Sequence, residues 1–304
     1  MPRAILIAAL MLVTGAAAAQ PGAPTDVAAL SRRLAERPGD VDLLLQRAQA
    51  YRRLGRPERA LADLRAAARE APARREVLLE RGLTHAALGQ TALAEGDLGR
   101  FLEAGPPTAE ALEARGKVRE AGRRWGPARA DYEAALKLRP TPDLHLARGR
   151  VDEAAGGLEA AARDYEEGLR ALNGAVTLRL ALIRVEAARG RHDRAIALIG
   201  EALAASPIKA DWLLRRAEVH AAAGREDAAA RDRFAALRDI EDHLERRPND
   251  LGRLTRARAL LAMDRADEAI ADLEAITRSS PRLAEASVLL DAARKKNPAR
   301  RNPP

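Results

Sequence analysis

Pro38, Pro72, Pro106 and Pro140 are evenly spaced, and this constant interval restricts the possible fold more than any other feature of the chain. Proline has no N–H to donate and clashes with the preceding helical turn, so it is tolerated at a helix end and excluded from the interior. Each interval therefore holds one helical hairpin, closed by a proline at the end of its second helix. Asn173 stands one residue short of the next mark, and Pro207, Pro248 and Pro281 resume the series.

Small residues keep the same phase. The first helix of each hairpin carries Ala48, Gly82, Gly116, Gly149, Ala217 and Ala257, with Ile183 as the departure, and the second carries Ala60, Ala94, Ala128, Ala161, Ala195, Ala229 and Ala269. Small side chains let two helix backbones approach, and Leu64, Leu98, Tyr132, Tyr165, Ile199 and Leu273 fill the space one turn on. Gly55, Gly89, Gly122, Gly156, Gly190 and Gly224 mark the turns between helices, where a left-handed residue is favoured, and Asp264 takes that place in the last hairpin. Aromatic residues are only 2% of the chain, and its abundance of Ala, Leu, Arg and Glu favours helix over sheet.

The stretch WGPARADYEAALKLRP (Trp125 to Pro140), with LEARGKVREAG (Leu112 to Gly122) before it, resembles a tetratricopeptide repeat (TPR). That family repeats with a period of about 34 residues, which is the interval between the prolines. The resemblance implies an all-α, right-handed α-solenoid of about seven helix-turn-helix repeats with capping helices. The repeats are expected at residues 41–281, a capping helix at 26–40, a final helix at 282–296 and a disordered basic tail at 297–304. Between Ala229 and Pro248 the sixth repeat's second helix is seven residues too long. Seven residues are close to two turns, so the helix is expected to protrude, either as a partner ledge or as a neutral lengthening.

The first residues carry Arg3, an apolar run from Ala4 to Val13 and Ala17-Ala18-Ala19. This is a secretory signal pattern, expected to occupy residues 1–19 with a short Pro/Gly linker at 20–25. Its apolar core is about half of the roughly 20 residues a spanning helix needs. The mature chain is therefore expected to be periplasmic or secreted and not membrane-spanning.

No catalytic constellation emerges. Without cysteine there is no disulfide, thiolate metal site or cysteine nucleophile. Ser31, Ser206, Ser279, Ser280 and Ser287 lie near helix ends or in the last helix, outside any GxSxG sequence. His85, His145, His192, His220 and His243 are spread along the repeats without an HExxH pair. The expectation is a non-enzyme without metal or cofactor. Formal net charge is +8, yet scarce aromatics disfavour nucleic-acid stacking.

What remains is the groove that first helices line in TPR proteins. By that resemblance Lys117, Arg150 and Arg184, each immediately after the first-helix crossing position of its repeat, would form a cationic ladder beside a leucine stripe that includes Leu146, Leu180 and Leu214. Such a face suits a partner protein segment with apolar and acidic residues. The leucines also read as core, and the cations as solvated or paired with Glu120 and Glu153. The resulting expectation is a scaffold supporting assembly of an envelope complex, with binding of an acidic polymer such as an exopolysaccharide as the alternative.

Overall fold

The computed structural model describes residues 23–172 and 175–296, so the expected signal segment and basic tail lie outside the described residues. Sixteen α-helices and no strands occur among the described residues. The chain divides into two compact units, one ending at Ala155 and the other starting at Gly156.

The first unit contains α1 (Ala23–Glu36), α2 (Val41–Arg53), α3 (Pro57–Glu70), α4 (Arg75–Ala87), α5 (Thr91–Glu103), α6 (Ala109–Ala121), α7 (Trp125–Leu138) and α8 (Pro142–Ala154). Helices α2–α3, α4–α5 and α6–α7 are tight antiparallel-type hairpins, and each second helix also packs on the next first helix. Helix α1 lies on α2, with Leu34 in the same apolar cluster as Leu43, Ala48, Ala60 and Leu64. It begins at Ala23, inside the stretch expected as linker. Pro24 falls in its first turn, where a missing N–H breaks no helical bond.

The second unit contains α9 (Leu158–Ala171), α10 (Val176–Ala188), α11 (His192–Ala205), α12 (Ala210–Ala222), α13 (Glu226–Arg246), α14 (Asp250–Ala262), α15 (Ala266–Ser279) and α16 (Ala284–Lys296). Each helix packs on the next in sequence. Helix α13 has 21 residues, but its extra length does not protrude as expected. Ile240 and Leu244 are buried, Leu244 lies close over Gly252 at the start of α14, and Asp239 accepts from the backbone N–H of Lys209 and Ala210. Two added turns keep the apolar face in phase, so the extension remains part of the core.

The small residues sit where the hairpins cross. All seven second-helix alanines, Ala60 through Ala269, are fully buried. A Cβ added to Gly82 would lie 2.8 Å from Leu98 Cγ, and one added to Gly116 would lie 2.8 Å from Tyr132 Cε1. In the fifth repeat Ile183 occupies this place, and α10 packs on α11 less closely than the helices of α2–α3, α4–α5, α6–α7, α12–α13 and α14–α15 do.

One turn departs from the glycine series. Gly122 ends α6 in ordinary geometry with φ −81°, and Arg123 takes the left-handed conformation at φ 55°. The left-handed residue keeps the fixed phase of Gly55 and Gly89, which glycine 122 misses by one. Asp264 adopts φ 57° in the last hairpin.

Candidate functional site

Five of the crossings are also fastened by an ion pair that the spacing of small residues does not announce. Immediately before the small residue stands an arginine, and at a sequence separation of 16, on the second helix, an aspartate. The pairs Arg47–Asp63, Arg81–Asp97, Arg115–Asp131, Arg216–Asp232 and Arg256–Asp272 all have N–O distances of 2.5–2.7 Å. In each, Nε and Nη2 donate to the carboxylate. The aspartates are buried in the hairpin, where this paired geometry meets their hydrogen-bonding capacity. Bonding to the aspartate holds the guanidinium pKa of Arg81, Arg216 and Arg256 above its usual value. The fifth repeat has Leu182 and Leu198 at both positions, each buried. Both charged partners are replaced together, leaving an apolar contact.

Two of the histidines, His85 and His220, belong to this packing. His85 is buried, with Nδ1 2.5 Å from Gln90 Oε1 and Nε2 3.9 Å from Asp97. His220 stands similarly, 3.8 Å from Asp232. Tyr51, at the equivalent place in the first repeat, receives Arg47 and Arg59 over its ring. Among the described residues no group of three or more His, Asp and Glu side chains is arranged to hold a metal ion.

The residues of the expected ladder lie on first helices, and all three are exposed. Lys117 Nζ donates to Glu113 Oε1 at 2.6 Å, one turn back on α6. Arg150 donates through Nε and Nη2 to Glu120, at 2.6 and 3.0 Å. Glu120 also accepts from the hydroxyl of buried Tyr132 at 2.8 Å. Burial disfavours the Glu120 carboxylate, but its bonds to Arg150 and Tyr132 outweigh that and keep its pKa low. Burial first and Glu120 second push the Tyr132 pKa up. Arg150 is thus tied into the α6–α7 core through one carboxylate.

Of the leucine stripe, Leu146 on α8 and Leu180 on α10 are half-buried, and Leu214 on α12 is buried. In the second unit the first helices border two recesses. Leu180 and Arg184 line one of about 580 Å³ between α10 and α12. Leu214 lines another of about 380 Å³ that reaches Arg258 on α14 and Leu289 on α16. Arg215 and Glu218 border both.

Ionic contacts between successive repeats set an acid limit on stability. Arg124 lowers the Glu95 pKa against the opposing effect of burial, with Arg119 assisting, and Arg225 lowers that of Asp193. The Ser279 and Ser280 hydroxyls lower that of Asp250. A carboxyl with a depressed folded pKa contributes stability that is present above its unfolded value and lost as pH falls through the folded one. Unfolded Asp and Glu titrate at about 3.9 and 4.3. Thermal unfolding followed by circular dichroism should therefore show a midpoint independent of pH between about 6 and 8 that falls below about pH 4.

The helical hairpins, their small-residue crossings and their constant phase coincide with a family match. A family model described as tetratricopeptide repeat matches residues 45–106, 79–143 and 180–243, more than half of the chain. The chain belongs to the TPR family. Two solved TPR structures share its fold. One, a TPR protein from Parabacteroides merdae, is 19% identical, with 83% of this chain and 98% of that one covered at a TM-score of 0.53. The other, the C-terminal part of a TPR repeat-containing protein from Cytophaga hutchinsonii, is 15% identical, with 81% and 99% covered at a TM-score of 0.58. No curated protein matches the sequence. TPR repeats are protein-interaction scaffolds that bind protein or peptide partners. No described helix is long and apolar enough to cross a membrane.

Proposed function

We propose that this TPR protein is an exported, non-enzymatic scaffold, periplasmic or secreted, that binds a partner protein segment along its first helices and supports assembly of an envelope complex. The observation that carries the reading is the pair of recesses bordered by α10, α12 and α14, where Leu180 and Leu214 stand beside Arg184 and Arg215. Apolar floor beside exposed cation is the chemistry that receives an apolar, acidic protein segment. An acidic polymer is less well served, because Lys117 and Arg150 already spend their charge on Glu113 and Glu120.

The test is affinity capture from an envelope extract on the immobilised full chain, with the neutral double variant Arg150→Gln/Arg184→Gln as control. Reversal to glutamate at position 150 would set a carboxylate against Glu120 and disturb the α6–α7 core, so the neutral change is the cleaner one. The expected result is a discrete protein retained at moderate salt and weakened in the variant. Retention of acidic polymer alone, lost as salt rises, would replace the protein-segment reading. A mature chain beginning at Gln20 in the exported fraction would support export, and an intact Met1 in the cytoplasm would oppose it.

A further inference from the structure

The fifth repeat breaks the pattern at three positions at once, and the larger recess lies beside the break. Ile183 replaces the small residue of the crossing, and Leu182 and Leu198 replace the arginine–aspartate pair. A branched side chain at a crossing holds two helices apart, and α10 and α11 are the least closely packed of the complete hairpins within either unit. Between α10 and α12 the first helices border a slot of about 580 Å³.

The slot has a definite chemistry. Leu180, Ile183 and Ala187 run along one wall, and Val219 and Ala222 along the other. From Leu180 to Ala187 the wall covers seven residues of helix, about 10 Å at 1.5 Å per residue. On the α12 edge stand Arg215 and Glu218, three residues apart and both exposed. Neither has an ion partner among the described residues, in contrast to the matched cations of the first unit.

We propose that this slot receives an amphipathic helix of a partner protein. Two apolar side chains, four or seven residues apart, seat between α10 and α12, a carboxylate faces Arg215, and a cation or hydroxyl faces Glu218 one turn on. The length of the apolar walls matches one to two turns of such a helix, and the edge charges set its register and direction. A polyanion would leave the apolar walls unfilled and would meet Glu218. The inference rests on the reading of the first-helix face as the partner surface, and narrows it to one place and one ligand chemistry.

The probe is a displayed library of random 15-residue peptides selected on the full chain, with affinities of the enriched peptides measured by fluorescence anisotropy. Ala222→Phe fills the slot from its mouth, and Arg215→Glu changes only an exposed edge charge. Enriched peptides should share the apolar pair and the carboxylate. Ala222→Phe should weaken them about tenfold or more, and Arg215→Glu should shift preference to the lysine-substituted peptide. Should Ala222→Phe fail to fold by circular dichroism, the Arg215→Glu preference decides alone. The proposal is overturned by enriched peptides without the apolar pair, by affinities unchanged in both variants, or by no enrichment. A wild-type dimer that Ala222→Phe abolishes overturns it too, since a second copy would then fill the slot. In parallel, the envelope capture separates the two levels of the argument. A protein retained equally by wild type and Ala222→Phe overturns the slot and leaves the scaffold reading standing, whereas slot-dependent peptides without any captured protein overturn the envelope role alone.

Discussion

Replacing Gly116 by leucine is expected to destabilise the protein by about 3 kcal/mol, at the upper end of what overpacking a crossing costs. A Cβ there would stand 2.8 Å from the ring of Tyr132, which is itself fully buried and bonded to Glu120. The ring cannot swing aside without breaking that bond, so the strain must move α6 away from α7. Gly96 on α5 supplies the opposite control, because a Cβ added there meets nothing within 4 Å. Gly96→Ala should raise stability by about 0.5–1 kcal/mol through the lower entropy of the unfolded chain. Urea unfolding of both variants measures the pair, and equal destabilisation would mean that the crossing is not where the repeat phase puts it.

Removing one member of a buried ion pair should be costly, and removing both should not. Asp272 is buried, and Arg256 donates to it through two nitrogens while remaining about a third exposed. Asp272→Ala strands a charge inside the α14–α15 hairpin. The expected loss is about 2 kcal/mol, below the roughly 3–5 of a fully buried pair because water still reaches the guanidinium. The double change Arg256→Leu/Asp272→Leu should restore most of this loss, since an apolar pair of similar volume needs no desolvated charge. Leu182 and Leu198 are the same exchange already present in the chain. A double variant no better than the single one would show that the pair also sets the angle between the helices.

Much of this architecture is legible because proline and the small residues act locally. A proline stop at a constant interval and an alanine at each crossing identify hairpins without knowledge of their neighbours. The turn at Arg123 reads one residue early from sequence because Gly122 draws attention, whereas the helix length of α6 decides which residue becomes left-handed. The length of α13 is legible but its placement is not, since register alone does not show that Leu244 finds Gly252. The constant Arg-to-Asp interval is present in the sequence as a repeating signal, hidden among 52 basic and 44 acidic residues. For the first-helix face, sequence places Leu180, Arg184 and Leu214 beside recesses but does not reveal that Glu113 and Glu120 occupy Lys117 and Arg150. Pairing depends on which rotamers reach across a turn or a helix gap, and residue spacing carries little of that information.

The ion pairs within the hairpins also bear on how quickly the chain can fold. Each joins two neighbouring helices across a short stretch of sequence, and the helices of each unit pack chiefly on their neighbours in sequence. No distant segment has to be found before a hairpin can close, so the loop-closure entropy is small and the search is short. Any hairpin can serve as a nucleus from which its neighbours zip up in both directions, and lengthening the array by another hairpin adds a step of the same size rather than a slower one.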